Sequence, residues 1–243
     1  MAAHRRLLLA ALVVLACPAG AEERRPVVVE LFTSQGCNSC PPADIYLGEL
    51  TNRPDLLTLA FHVDYWNYIG WTDPFARPWA TARQKAYQKR LNERFVYTPQ
   101  MVVNGAAQGI GSEREAIEAL IKAAPAEGAT LHPDLALRWR QDGALLVEVG
   151  AGESPPESPA DIWLIGYDSA HETRVLRGEN AGQTLTDHHP VRTYRRIGGW
   201  PGWSLELVVP AAEAPALGNG GIAVLIQAAG AGPVMAAARI APR

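Results

Sequence analysis

The sequence has few cysteines and little net charge. Of 243 residues only three are cysteine, and no second cysteine pair is present that could complete a zinc site with the Cys-x-x-Cys pair at 37–40. The net charge of −3 gives no basis for nucleic-acid binding. Methionine is scarce, with three residues, and neither methionine nor histidine forms a tract of the kind that metal-handling proteins use. The hydrophobic fraction of 48% is typical of a globular protein with a substantial core.

The N-terminus has the three parts of a cleaved signal peptide. Two arginines precede an apolar run over Leu7–Cys17, and an Ala-Gly-Ala cleavage site ends at Ala21. The run is shorter than the roughly 20 residues that span a bilayer, and no other stretch of the sequence is long enough. The sequence therefore predicts a signal peptide over 1–21 and a mature chain from Glu22, located in the periplasm or secreted. A lipoprotein signal at Cys17 is the alternative, which Leu15 disfavours.

Cys37 and Cys40 would be the two cysteines of the mature chain. A bridge across three positions closes a very short loop, so it would constrain the unfolded chain little and is a poor structural staple. Export to an oxidising compartment permits a disulfide. A redox-active pair is the favoured interpretation, and an inert pair or a metal site is the alternative.

Two regions differ in their patterns. Residues 22–124 alternate between strand-like and helix-like segments, and residues 125–133 form a plausible linker rich in Ala, Gly and Pro. Residues 134–243 consist of short strand patterns separated by Gly- and Pro-rich turns, which predicts a β-sandwich-like domain. The expected fold is an α/β domain followed by an all-β domain, with no internal repeat.

The first region has a readable order of elements. Strands are expected at Val27–Phe32, Leu56–Val63, Pro99–Val103 and Ala107–Ile110, and helices at Cys37–Leu50, Trp79–Phe95 and about 112–124. Asn104-Gly105 predicts a hairpin turn, and Ser112 with Glu115 predicts a capping box. A Cys-x-x-Cys pair after the first strand and a Thr-Pro before the third complete the pattern.

Three motifs carry a family resemblance: Glu-Leu-Phe-Thr-Ser-Gln-Gly-Cys-Asn-Ser-Cys-Pro-Pro-Ala-Asp at 30–44, His-Val-Asp-Tyr-Trp at 62–66 and Tyr-Thr-Pro at 97–99. With this order of elements the chain resembles the thioredoxin-like superfamily. More closely, it resembles an exported bacterial family of thioredoxin-like proteins still called a domain of unknown function. The resemblance implies a thioredoxin-like fold and a redox class, and it implies no substrate.

Roles for the cysteines follow from the expected helix start. A thiol at a helix N-terminus is stabilised as the thiolate by free backbone N–H groups and the helix dipole, which suits Cys37 as the nucleophile and Cys40 as the resolving thiol. The resemblance implies that Pro99 follows a cis peptide bond and lies against the cysteines, with Thr98 beside it as a substrate-binding residue. The alternative is an ordinary trans proline that opens an edge strand. Pro41 and Pro42 depart from common thioredoxins.

Glu30 is a carboxylate inside an apolar strand pattern. The resemblance implies an acid beneath the second cysteine, and desolvation would suit such an acid to carry the proton of Cys40. The spacing from Glu30 to Cys37 is one residue longer than is typical of thioredoxin. A solvent-facing Glu30 at a strand end is the alternative.

The aromatic stretch at 62–71 follows the second strand, at the edge of the sheet where α/β folds place ligands. It predicts either a substrate-binding wall, with Asp64 and Trp66 as the contacts, or packing of the following helix. The basic residues between Arg83 and Arg94 are expected on a solvated helix face. His188-His189 is not expected to bind metal, because adjacent strand residues face opposite sides.

The function these features favour is an exported thiol–disulfide oxidoreductase that needs no cofactor. Its partner would be a protein or small-molecule thiol or disulfide. One alternative is a copper-binding protein that uses Cys37, Cys40 and His62, since thiolates suit Cu(I). Another is a non-catalytic interaction protein in which the β-domain carries the function.

Overall fold

The computed structural model describes residues 25–124, 133–152 and 159–243. The predicted signal peptide and most of the predicted linker lie outside the described residues. In the first region, β1 (Val27–Thr33) and β2 (Leu56–His62) are parallel, while β3 (Gln100–Val103) and β4 (Ala107–Ile110) add antiparallel strands. The strand order is β2-β1-β3-β4, so β1 is central.

Three helices flank this sheet: α1 (Pro41–Leu50), α2 (Pro78–Arg90) and α3 (Arg114–Ala123). All seven side chains of β1 are buried, and they alternate between two cores. Val29 and Leu31 belong to the core that contains residues of α1 and α3. Val28 and Phe32 face the opposite way, into the core that contains Tyr87 of α2.

The second region forms two further sheets and a hairpin. Its strands are β5 (Leu135–Trp139), β6 (Leu145–Val149), β7 (Ala160–Tyr167), β8 (Ala170–Arg174), β9 (Thr184–His188), β10 (Val191–Trp200), β11 (Leu205–Val209), β12 (Gly221–Gln227) and β13 (Val234–Ile240). The orders are β10-β7-β12-β13 and β11-β6-β5, with β8 and β9 as a separate pair. Alternate residues of β6, β7 and β12 meet in a third core between the two sheets.

The two regions pack directly on each other. Ile165, Val191 and Leu225 of the second region lie in the same core as Val28 and Phe32. The β8–β9 hairpin packs against α1 and β2. At His189, directly after β9, the backbone carbonyl accepts a hydrogen bond from the N–H of Ala60 in β2 at 2.9 Å. The second region therefore reaches the edge of the first sheet and contributes residues to the site described below.

Several predicted elements are confirmed. β4 has its expected bounds, and the strands β5 to β13 follow the strand-rich pattern predicted for residues 134–243. Asn104 and Gly105 form the predicted hairpin turn, with φ values of 47° and 64°, both in the left-handed region that such two-residue turns require.

Other expectations were wrong at element ends. α1 begins at Pro41, not Cys37, and α2 ends at Arg90, which leaves Phe95 exposed on a loop. The capping box at Ser112 is not formed: Glu113 is the N-cap of α3 and makes no side-chain cap. β9 was not predicted, because its residues are mostly polar and lack an apolar alternation. No helix in the described parts of the chain is long and apolar enough to cross a membrane.

Candidate functional site

Cys37 and Cys40 form a disulfide at the start of α1. Cys40 is the N-cap of the helix, and Cys37 lies in the turn between β1 and the helix, where its N–H donates to the Ser34 carbonyl at 3.0 Å. Both cysteines are buried, with exposed fractions of 1% and 0%. Neither sulfur is open to solvent, and only Asn38 and Ser39 of this turn are exposed, although a nucleophilic Cys37 is expected to be accessible.

The helix start offers Cys37 no free backbone donor, contrary to the sequence-based argument. Pro41 and Pro42 have no N–H, and the N–H groups of Ala43 and Asp44 both donate to the Cys40 carbonyl, at 2.8 and 3.2 Å. A side chain of the site can supply a donor to a Cys37 thiolate instead.

Thr98 supplies that donor. Its hydroxyl donates to Cys37 Sγ at 3.2 Å and accepts a hydrogen bond from Trp66 Nε1 at 2.8 Å. The Thr98–Pro99 peptide bond is cis, as expected, and β3 begins at the next residue. The structure thus places Thr98 in contact with the disulfide and Trp66 in contact with Thr98, while their substrate-binding roles stay predictions.

A second hydroxyl lies on the outer side of the pair. Ser39 Oγ is 3.4 Å from Cys37 Sγ and donates to the Thr98 carbonyl at 3.5 Å. Ser39 is exposed, so it lies between solvent and the sulfur of Cys37.

Side chains of the second region hydrogen-bond to the segment that contains Cys37. Asn180, which is fully buried, donates through Nδ2 to the carbonyls of Gln35 and Cys37 at 2.9 and 3.0 Å. The Gln35 side chain donates to Asp187 Oδ2 at 2.6 Å and accepts from Trp71 Nε1 at 2.9 Å. Two residues of the second region thereby fix the turn that carries Cys37.

A buried histidine and two aspartates continue this network. His62, at the end of β2, donates from Nδ1 to Asp73 Oδ2 at 2.7 Å, and its Nε2 is 3.7 Å from Asp187 Oδ1. Burial by itself lowers the pKa of His62, but the charge and hydrogen bond of Asp73, with Asp187 and Asp44, raise it to about 9. The imidazole is therefore cationic at neutral pH, and it keeps the pKa of Asp73 low despite burial.

Asp44, in the first turn of α1, is the acid of this network with the most perturbed pKa. Burial, with the nearby charges of Asp187 and Asp73, raises its pKa to about 7, although His62 opposes the shift. Asp44 is four residues after Cys40, so the two side chains share a helix face. A carboxyl with a pKa of about 7, one turn from Cys40, is suited to exchange a proton with a Cys40 thiol.

Glu30 does not have the predicted role beneath Cys40. Its carboxylate is fully buried on the face of β1 opposite α1, where it accepts two hydrogen bonds from Arg83, at 2.5 and 2.8 Å, and one from the Tyr87 hydroxyl at 2.6 Å. Alternation along β1 explains the difference, because residues 29 and 31 face the helix that carries Cys40. Neither the predicted proton carrier nor the solvent-facing alternative is correct.

Asp64 also lies apart from the disulfide. It accepts a hydrogen bond from Thr81 Oγ1 at 2.6 Å and thereby fastens the loop after β2 to α2. The same helix holds the backbone before Pro99, since Gln84 Nε2 donates to the Tyr97 carbonyl at 2.7 Å. Of the two roles predicted for the aromatic stretch, Asp64 has the packing role, since it ties the loop to α2. Trp66 contacts Thr98, and its substrate-binding role stays a prediction.

The copper alternative places His62 with the two cysteines. Among the described residues, no three His, Cys, Asp or Glu side chains are grouped as a metal site requires. Nδ1 of His62 is engaged by Asp73.

The residues missed by sequence reasoning are Gln35, Asp44, Asp73, Asn180 and Asp187. Gln35 and Asp44 lie inside the motif at 30–44. Gln35 is a polar residue just after a buried strand and Asp44 is an acid in the first turn of a helix, so both could have been proposed as site residues from the sequence. Asn180 and Asp187 carried no local signal, because their roles depend on the β8–β9 hairpin packing onto α1.

Comparison with known proteins places the chain in a family. The model of the family described as "Protein of unknown function (DUF1223)" matches residues 28–227. A crystal structure of a protein from Agrobacterium tumefaciens, from a structural genomics consortium, is similar with a TM-score of 0.80 and 32% sequence identity. The match covers 92% of this chain and 97% of the other. No curated protein matches. The chain belongs to the DUF1223 family.

Proposed function

We propose that the protein is an exported, thioredoxin-like thiol–disulfide oxidoreductase. The observation that carries this proposal is the Cys37–Cys40 disulfide at the start of α1, with the Thr98 hydroxyl 3.2 Å from Cys37 Sγ and Pro99 next to it. The order β2-β1-β3-β4, with α1 after β1, supports the thioredoxin-like assignment. Export is proposed from the N-terminal sequence, and an oxidising compartment suits the disulfide.

The proposed reaction is dithiol–disulfide exchange. The Cys37 thiolate attacks one sulfur of a partner disulfide, the partner S–S bond breaks, and one partner thiolate leaves and takes a proton. The Cys40 thiolate then attacks Cys37 Sγ and releases the second partner thiol. The protein pair loses two electrons to the partner, and the reverse sequence oxidises a partner dithiol.

Two polar groups would assist these steps. The Thr98 hydroxyl donates to the Cys37 thiolate, a task that the proline-blocked helix start does not perform. Asp44 accepts the proton of the Cys40 thiol when it becomes the attacking group, since its pKa of about 7 matches neutral pH. Because Cys37 is buried beneath Ser39, a small thiol or a flexible peptide reaches it more easily than a rigid protein surface does.

The test uses Cys40→Ala and Cys37→Ala variants in non-reducing electrophoresis of exported extracts. Without Cys40 the mixed disulfide on Cys37 has no resolving thiol, so adducts should accumulate. The Cys37→Ala variant is the matched control, because it keeps one cysteine, Cys40, and lacks the proposed nucleophile. If Cys40→Ala gives no adducts beyond this control, the proposed function is wrong.

A further inference from the structure

A cleft of about 760 Å³ opens between α2 and the sheet that contains β7, β10 and β12, and no cysteine lines it. We refer to it as the α2 cleft. Its volume is in the range of small-molecule sites. The residues that line it are Trp79, Ala82, Arg83, Lys85, Ala86, Lys89, Arg90, Asp161, Trp163, Tyr194, Gln227, Gly230 and Ala231.

Aromatic rings form the apolar part of the cleft. Trp163 stacks on Tyr194 with ring centroids 4.4 Å apart and an interplanar angle of 13°. Trp79 contacts the same tyrosine at 5.7 Å. All three are only partly buried, so a flat apolar surface remains open to a ligand.

Exposed cations line the α2 side. Lys85, Lys89 and Arg90 are exposed, and none of them has an ion-pair or hydrogen-bond partner among the described residues. Ala82 and Ala86 lie between them on the same helix face and leave room above the rings. The lining carboxylate, Asp161, is neutralised by Arg196 at 2.5 Å. The cleft therefore has excess positive charge beside an aromatic floor.

Arg83 does not contribute to that excess positive charge, because its hydrogen-bond donors and its charge are all engaged by other side chains of the protein. Its five N–H donors meet Glu30 twice and the side chains of Tyr87, Tyr194 and Gln227 once each. Its charge is paired with Glu30. Arg83 thus fixes the orientation of Tyr194 in the floor and leaves ligand charge to the exposed lysines and Arg90.

We propose that the α2 cleft binds a small anionic ligand with a flat, apolar body, of the aromatic carboxylate or sulfonate class. The rings would take the flat body, and the cations of α2 would pair with the anionic group. The proposal does not depend on the redox function, since the site shares no residue with the disulfide or its hydrogen-bond partners.

The test titrates the protein with two fluorescent probes, 1-anilinonaphthalene-8-sulfonate and the uncharged N-phenyl-1-naphthylamine. The sulfonate is expected to bind one per chain and more tightly than the neutral dye. Lys85→Gln with Lys89→Gln should weaken sulfonate binding by about tenfold and leave the neutral dye unchanged, because two exposed charge pairs are lost. Arg94→Gln is the matched control, because Arg94 is an exposed cation just after α2 that does not line the cleft. It should change the affinity for neither dye.

A steric variant tests the location separately from charge. Ala82 is exposed on α2, so Ala82→Phe should fold normally, fill the cleft and abolish tight binding of both probes. Equal affinity for the two dyes, or sulfonate binding unaffected by both the lysine and the Ala82 variants, would overturn the proposal.

Discussion

Glu30→Gln should destabilise the protein strongly without altering its thiol chemistry. The Glu30 carboxylate is fully buried and receives three hydrogen bonds, two of them from Arg83. The substitution leaves the Arg83 charge buried and without a counter-charge. Breaking a buried pair from one side costs about 3–5 kcal/mol. For a chain of this size each kcal/mol corresponds to about 2–4 °C in the midpoint of thermal unfolding, so a loss of roughly 6–20 °C is expected.

The assay is thermal and urea unfolding followed by circular dichroism, on the oxidised protein. Arg83→Met should cost a similar amount, and the double variant should lose less than the sum of the two single variants, because both charges are then absent. Glu49→Gln is the matched control: Glu49 pairs with Arg114 at an exposed position, where a lost ion pair has little effect on stability.

The contrary result is equally clear. If Glu30→Gln lowered stability by less than 1 kcal/mol and shifted the pH dependence of Cys40 alkylation, Glu30 would be a proton carrier and the structural role assigned here would be wrong.

Four further predictions concern the pH dependence of stability, the hydrogen bonds of Asn180 to the Cys-x-x-Cys turn, the Thr98 hydroxyl that donates to Cys37, and the N-terminus of the mature chain. Because the folded pKa values of Asp44, about 7, and His62, about 9, exceed their ordinary values of 3.8 and 6.5, the free energy of unfolding should fall as pH rises from about 4 to 9. In His62→Gln the fall above about pH 7 should become clearly smaller in urea unfolding curves, because the imidazole no longer titrates there. Asn180→Ala removes the donor of two buried carbonyls and should cost about 1–3 kcal/mol in the same assay. Thr98→Val should raise the pKa of the Cys37 thiol, measured as alkylation rate against pH in the Cys40→Ala background; an unchanged pKa would remove Thr98 as the donor. Intact-mass analysis of exported protein should give a chain that begins at Glu22, and a lipid on Cys17 would contradict the signal-peptide prediction.

The strands and turns were the part of the fold most readable from sequence. β12 and β13 have long apolar patterns, and Asn104-Gly105 is a turn whose backbone conformation few other residue pairs adopt. Helix ends were harder, because they depend on local hydrogen bonds. α1 begins at Pro41 and not at the predicted Cys37, because the first helical hydrogen bonds go to the Cys40 carbonyl.

At the site, the residues close in sequence to the cysteines or to Pro99 were predictable, and the distant ones were not. The position of Thr98 beside Cys37 could be predicted because Thr98 directly precedes Pro99. Glu30 was misplaced because a continuous apolar run does not tell which side of a strand faces the helix. Asn180 could not be predicted from the sequence, because the backbone carbonyls that it contacts lie more than 140 positions away.

The most direct test of the proposed oxidoreductase activity is mass spectrometry of the reduced protein mixed with oxidised glutathione under native conditions. The wild-type chain should lose two hydrogens as the Cys37–Cys40 disulfide forms, and two molecules of reduced glutathione should be released per chain. Cys40→Ala should retain one glutathione, on Cys37. If the folded Cys40→Ala protein takes up no glutathione and reacts only after denaturation, then the buried pair is a structural disulfide and the proposed function is wrong.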